Sequence, residues 1–137
     1  MLFRSLSEHI SAILPLDSFV PAPAQGVLAV QCRSNDKDVI ALLAQLDDPS
    51  ARTAVTMERA VLAAMRGGCS IPLGVYAQCN AESITITGMI SDIAGKTCIQ
   101  HSLSGILEES KIMAHQLATL LLDKGGRDIL EDIRKSI

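Results

Sequence analysis

Aromatic side chains are nearly absent from this sequence. Its 137 residues include no Trp, one Tyr and two Phe, so aromatics make up only 2% of the chain. Hydrophobic residues nevertheless reach 48%, enough for a core of Leu, Ile, Val, Ala and Met. This composition excludes a disordered chain and predicts a soluble globular protein of one domain, or of one domain with part of another.

Long apolar runs and an excess of basic residues are also missing. No run approaches the roughly 20 residues that span a bilayer, so we expect no membrane partner. The net charge is −3, and no basic stripe indicates a nucleic-acid partner. The N-terminus resembles a signal peptide only loosely, because its apolar stretch is interrupted by Glu8, His9 and Asp17. We therefore expect a cytoplasmic protein.

The four cysteines lack the CxxC pairs and the spacings of zinc sites. Cys32, Cys79 and Cys98 fall in strand-like patterns, which favours small, reduced core residues. The three histidines are scattered along the chain, and no spacing joins them into a metal site. The sequence therefore predicts no bound metal.

Apolar periodicity divides the first half of the chain into four segments. Helical spacing covers residues 2–14 up to Pro15, and a strand pattern covers residues 27–33. Two further helices are predicted at about 37–46 and about 50–65. Asp36 or Asn35 provides the N-cap of the first of these helices, and Asp48 or Ser50 provides that of the second.

The second half alternates in the manner of an antiparallel meander. Strands are predicted at 73–79, 83–90 and 96–103, followed by helices at about 105–123 and about 127–135. Short connections make the three strands antiparallel, and the helices can cover only one face of the sheet. The fold class predicted is α+β, with a three-stranded antiparallel sheet covered on one face by helices and preceded by a strand–helix segment.

Cys69 stands out by its position in the run Gly67-Gly68-Cys69-Ser70-Ile71-Pro72. Little side-chain bulk surrounds the sulfur, which suits covalent attachment of a ligand. The alternative is a loop cysteine that packs under the sheet, because cysteine is commonly buried. Arg66 favours the thiolate, whereas the preceding helix C-terminus disfavours it. Spacing alone leaves these alternatives open.

Several motifs resemble the C-terminal half of porphobilinogen deaminases, also called hydroxymethylbilane synthases. They occur in the family's order and cover nearly the whole chain: Pro21-Ala22-Pro23-Ala24-Gln25-Gly26, Cys32-Arg33, Met57-Glu58-Arg59-Ala60, Gly67-Gly68-Cys69-Ser70-Ile71-Pro72-Leu73 and Leu120-Leu121-Leu122-Asp123-Lys124-Gly125-Gly126-Arg127-Asp128-Ile129-Leu130. One departure is Ala24, where the family usually has glycine. Alanine does not reach left-handed backbone angles cheaply, so the shape of this loop is not fixed by the resemblance.

The resemblance implies a transferase of haem (tetrapyrrole) biosynthesis. Such enzymes condense four porphobilinogens into hydroxymethylbilane, release ammonia at each step, and hold the growing pyrrole chain on a dipyrromethane cofactor. The resemblance maps the thioether of that cofactor to Cys69, with Gly67, Gly68 and Ser70 as its neighbours, and maps substrate binding to Gln25 and Gly26. No complete catalytic set is expected, because the family's other site groups lie mainly on two preceding domains.

The resemblance also implies a division of the chain. Residues 1–20 match the end of the second domain, residues 21–47 the return segment that completes the first, and residues 48–137 the cofactor-attachment domain. We expect the chain to be inactive alone and to need the N-terminal domains. Without them, the apolar residues of 21–47 would fold back, stay mobile or form a homodimer.

Three further residues that match the family's motifs have a structural explanation. Glu58 and Arg59 lie mid-helix, and together with Arg33 we assign them to structural ion pairs rather than to catalysis. Two other functions remain open. One is a non-enzymatic binding or assembly module that reuses the domain. The other is a thiol enzyme using Cys69 alone, which lacks a nearby His or Asp motif to activate the sulfur.

Overall fold

The computed structural model describes residues 7–65, 71–80 and 82–136. Four α-helices and three strands form within these residues. In chain order they are α1 (Lys37–Leu43), α2 (Pro49–Ala64), β1 (Leu73–Cys79), β2 (Ser83–Ser91), β3 (Cys98–Ile106), α3 (Ser110–Leu121) and α4 (Arg127–Ser136). Short 3₁₀ turns cover Ser7–His9, Ala44–Leu46 and Leu107–Glu109.

The three strands form the predicted antiparallel meander. Their order in the sheet is β1-β2-β3, with Leu73 opposite Ile90 and Ile84 opposite Gly105. Alternate residues of β2 are buried, as the period-2 pattern requires. Strand β1 begins with three buried residues, Leu73 to Val75, because Val20 covers Gly74 on its other face. The outward face is polar, and cross-strand hydroxyl pairs join Thr85 to Ser104 and Thr87 to Ser102.

Helices cover only one face of this sheet. Helix α2 lies against β1, and α3 lies across β2 and β3. Gly88 of β2 permits the close approach of α3, because a Cβ atom there would stand 2.8 Å from a methyl carbon of Leu121. The two-layer α+β architecture is therefore confirmed. Its core consists of Met57, Val61, Met65, Leu73, Val75, Ala77, Ile84, Ile86, Ile90, Met113, Ala114, Leu117, Ala118, Leu121, Ile129, Leu130 and Ile133.

Polar caps and glycines set the helix ends. The side chain of Asp36 accepts a hydrogen bond from the Val39 N–H, and that of Asp48 accepts from the Ser50 N–H. These two caps are confirmed. Helix α3 ends at Leu121, and a wide turn with Gly125 at φ 117° separates it from α4, so the predicted glycine break is confirmed too.

Two predictions for the N-terminal part are wrong within the described residues. The helix predicted over 2–14 appears only as the 3₁₀ turn Ser7–His9, and its first residues lie outside the described part of the chain. The strand predicted over 27–33 does not form, so only α1 remains of the expected strand–helix segment. Both patterns need a partner surface to stabilise regular structure. The large apolar side chains that the structure describes in these two stretches face solvent, with Leu28 90% exposed.

Residues 17–24, which we call the strap, fold onto the sheet domain instead. The Val75 N–H on the open edge of β1 donates to the Pro21 carbonyl at 2.8 Å, and the Gln100 side chain donates to the Asp17 carbonyl. Val20 is buried, 8% exposed, directly over Gly74. The strap therefore supplies part of the hydrogen bonding that an edge strand otherwise leaves open.

Candidate functional site

Residues 65–72, which we call the Cys69 loop, join α2 to β1. Its predicted site residues Gly67, Gly68, Cys69 and Ser70 lie outside the described residues, as does Arg66. Both ends of the loop are anchored. Met65 at the end of α2 is fully buried in the core, and the Pro72 carbonyl just before β1 accepts a hydrogen bond from the Ser91 N–H at 3.1 Å. The structure therefore fixes where the loop leaves and re-enters the domain.

The second predicted element, Gln25-Gly26, lies in a tight turn at the end of the strap. The Gln25 N–H donates to the Ala22 carbonyl at 3.1 Å, and the Val27 N–H donates to the Ala24 carbonyl at 3.3 Å. Gln25 and Gly26 are exposed to solvent. Ala24 has φ 63°, the left-handed conformation that alanine adopts only at a cost. The chain thus keeps in this loop a backbone shape suited to glycine.

Glu58 joins this turn to the domain. Its side chain is buried, with 6% exposure, in the middle of α2. One carboxylate oxygen accepts from the Ala24 N–H at 2.7 Å, and the other accepts from the Ala77 N–H of β1 at 2.9 Å. No cation pairs with this carboxylate among the described residues. Within the described residues the partners of Glu58 are therefore two backbone amides, and its role in an ion pair that holds domains together stays a prediction.

The two arginines that match the family's motifs, Arg33 and Arg59, do not contact Glu58. Arg33 and Arg59 are both exposed, and neither makes a salt bridge within residues 7–65, 71–80 and 82–136. Glu58 and Arg59 are consecutive residues of α2. The helical rotation between them sends one side chain towards β1 and the other towards water.

The remaining cysteines separate into different environments. Cys79 packs against the core at the end of β1, where burial raises the pKa of its thiol. Cys32 is half-buried outside regular structure. Cys98 is exposed, so its assignment as a core residue is wrong; it starts β3 on the outward, polar face opposite Ser91.

The described residues contain neither a candidate metal site nor a candidate membrane-spanning helix. No group of three His, Cys, Asp or Glu side chains is arranged to hold a metal ion there. None of the helices in that part of the chain is long and apolar enough to cross a membrane.

Two family models match the chain. Residues 52–123, which run from α2 to the turn after α3, match a model described as "Porphobilinogen deaminase, C-terminal domain". Residues 2–41 match one described as "Porphobilinogen deaminase, dipyromethane cofactor binding domain". Fold and match together define a two-layer α+β C-terminal domain. The chain belongs to the porphobilinogen deaminase family.

Curated relatives support the same conclusion. The chain is 38% identical over 132 residues to "Porphobilinogen deaminase 1" of Streptomyces avermitilis, covering 90% of this chain and 41% of the relative. It is 36% identical over 127 residues to the porphobilinogen deaminase of Syntrophus aciditrophicus, covering 93% and 42%. It is 39% identical over 125 residues to that of Roseiflexus castenholzii, covering 91% and 41%. The chain therefore spans about two fifths of the length of these relatives.

Proposed function

We propose that this chain acts as the C-terminal part of a porphobilinogen deaminase and presents Cys69 as the attachment point of the dipyrromethane cofactor. The assembled enzyme condenses four porphobilinogens into hydroxymethylbilane with release of ammonia. One observation carries the proposal. The family match extends from α2 to α3 across the Gly67-Gly68-Cys69 loop, which both neighbouring elements anchor.

A cysteine thiol is a suitable group for covalent attachment of such a cofactor. Cys69 would hold the cofactor through a thioether. Loss of ammonia from the aminomethyl group of the pyrrole, which breaks the C–N bond, would leave an electrophilic methylene carbon. The Cys69 sulfur would form a C–S bond to that carbon as the thiol gives up its proton. A soft sulfur holds this carbon stably, whereas a serine oxygen would give a labile ether. Among the other cysteines, burial raises the pKa of the Cys79 thiol, and Cys98 lies on a strand. When bound, the cofactor supplies the pyrrole carbon on which the chain grows.

The N-terminal part supports a role for Gln25 and Gly26 near that cofactor. Both residues fall inside the match to the cofactor-binding model, and both are exposed at the tip of a turn that Glu58 holds against the domain. We propose that they line the cleft facing the cofactor. The chain carries a net charge of −3, whereas binding many pyrrole carboxylates needs cations. We therefore assign those cations to the N-terminal domains of the enzyme, and expect no activity from the chain alone.

The test combines intact mass with complementation. The chain is produced alone and together with the N-terminal domains of the Streptomyces avermitilis relative. We expect a mass excess of two linked pyrroles, and formation of hydroxymethylbilane, only on co-production. Cys69→Ser should abolish both, whereas the control Cys98→Ser, at an exposed thiol, should abolish neither.

Two outcomes would contradict the proposal. One is a soluble complex of the two parts whose mass shows no excess and which makes no product. This outcome favours the binding-module alternative. The other is an excess that survives Cys69→Ser, which would move the attachment point to another residue.

A further inference from the structure

Three segments of the chain converge on the carboxylate of Glu58. The residue lies on α2, one oxygen binds the Ala77 N–H of β1, and the other binds the Ala24 N–H of the turn over residues 22–26. Helix α2 and strand β1 are the two elements that enter and leave the Cys69 loop. A single buried side chain thus connects the turn to the two elements that flank that loop.

The turn itself is held in an unfavourable conformation. Ala24 has φ 63°, where its Cβ crowds the backbone, and such residues persist only where surrounding structure enforces them. The hydrogen bond from the Ala24 N–H to Glu58 is the shorter of the two that the carboxylate accepts, 2.7 Å against 2.9 Å. Ala24, immediately before Gln25, therefore has both the strained backbone and the hydrogen bond that restrains it.

We infer that Glu58 is a positioning residue that clamps Ala24 in the left-handed conformation and so holds the Gln25-Gly26 turn at a fixed place against α2 and β1. The inference rests on the proposed function only where it assigns that turn to the cofactor cleft. Glu58 itself is buried and touches the turn through the backbone, so it orders the site without contacting substrate.

The geometry requires a carboxylate. Both oxygens accept from different N–H donors, whereas a glutamine offers one oxygen and places an NH₂ group opposite the second donor. Glu58→Gln therefore keeps the shape of the side chain and loses one of the two bonds. Since a hydrogen bond to a charged group is strong, we expect about tenfold faster amide exchange where the bond is lost.

Amide hydrogen exchange on the whole chain tests the clamp without any need for activity. In Glu58→Gln, the Gln25 and Val27 amides, which do not bind Glu58, should also exchange about tenfold faster, because the turn opens as a unit. Glu131→Gln, at an exposed glutamate of α4, is the matched control and should change neither. Adding Ala24→Gly to Glu58→Gln should restore most of the protection, since glycine adopts the left-handed conformation without a clamp.

A second variant leaves the buried glutamate in place. Ala24→Pro removes the N–H donor and fixes φ at a negative value, so the turn should open while the Ala77 amide stays protected. This variant decides the question if Glu58→Gln does not fold. The inference is wrong if the turn amides exchange as in the parent chain in Ala24→Pro, or in a Glu58→Gln variant whose Ala77 amide stays protected. It is also wrong if Ala24→Gly fails to restore a turn that Glu58→Gln has opened.

Kinetics of the complemented enzyme test the consequence for the site. We expect Glu58→Gln to raise KM for porphobilinogen about fivefold or more while kcat changes less, because a displaced turn weakens binding more than chemistry. If the parent complex is inactive, the proposed function fails and the exchange data still decide the clamp. If the parent complex is active and Glu58→Gln leaves KM within about twofold, the positioning role fails and the proposed function stands.

Discussion

Replacing Gly74 by alanine should detach the strap without touching the core. A Cβ atom at this position would stand 2.5 Å from the Val20 carbonyl oxygen and 3.0 Å from the Val20 Cβ atom. The carbonyl belongs to the backbone and cannot rotate away while the adjacent Pro21 carbonyl accepts from the Val75 N–H. The strap must therefore lift from the edge of β1.

The size of the effect follows from what the strap loses. Returning the buried Val20 side chain to water costs about 1.5 to 3 kcal/mol, and losing the bond from the Val75 N–H to the Pro21 carbonyl costs about 1 kcal/mol. The freed residues regain backbone entropy, which offsets part of this loss. We expect Gly74→Ala to lower the free energy of unfolding by about 1 to 2 kcal/mol.

Urea unfolding gives the free energy, and amide exchange at Val75 reports the strap directly. The matched control is Gly26→Ala, because a Cβ atom there meets nothing within 4 Å and should change stability by no more than about 0.5 kcal/mol. A Gly74→Ala variant with parental stability and a protected Val75 amide would refute the reasoning. It would mean that the strap does not lie against β1 in solution.

Three other predictions concern the core, a turn and the assembly state. Leu117→Ala, at a fully buried position of α3, should lower the free energy of unfolding by about 2 to 5 kcal/mol, whereas the exposed control Ile112→Ala should cost less than about 0.5 kcal/mol in the same urea titration. Backbone N–H donors in the β2–β3 turn lower the pKa of Asp92, so its contribution to stability is present above the ordinary Asp pKa and lost as the pH falls through the lowered value. Asp92→Asn should therefore flatten the loss of thermal stability below about pH 4. We expect the chain alone to form a homodimer, because the apolar side chains of Leu28 and Val30 are 90% and 67% exposed. Light scattering should then give twice the chain mass of 14.6 kDa, and a monomer mass would contradict this.

The sheet domain was largely predictable because its signals are local and repeated. Strand β1 was predicted over 73–79 and lies at Leu73–Cys79, since alternation along a half-buried strand fixes both its face and its length. Strand β3 begins two residues later than predicted. The carboxylate of Asp92 binds the Lys96 and Thr97 N–H groups and keeps them in the turn, an interaction that hydrophobic alternation does not reveal.

The N-terminal part was predicted poorly because its signals depend on surfaces far along the chain. The alternation over residues 27–33 indicates a buried strand, yet a strand needs a neighbour to pair with. The strap docks through carbonyl groups of Asp17 and Pro21, and a backbone carbonyl carries no side-chain signal. Nothing in the residue types of 17–24 therefore predicts the contact with β1.

In the candidate site, too, a local motif was predictable and a long-range backbone contact was not. Cys69 was found through a motif whose residue order is specific, although spacing alone left its role open. The change from the family's usual glycine to Ala24 left the shape of this loop open, and the structure places that alanine in the left-handed conformation at φ 63°. The partner that holds Ala24 was missed. Glu58 lies 34 residues away and binds a backbone amide, so ion-pair reasoning looked for a cation instead.

Helix α1 has an apolar face without a partner among the described residues. It has seven residues and a good N-cap at Asp36, yet none of its residues is buried. Isolated helices shorter than about 12 residues are marginal in water, so α1 needs a surface to pack against. Its apolar residues Val39, Ile40 and Leu42 face solvent, and the chain spans about two fifths of its relatives. We therefore expect the N-terminal domains to bury this face, and α1 to gain amide protection when they are co-produced.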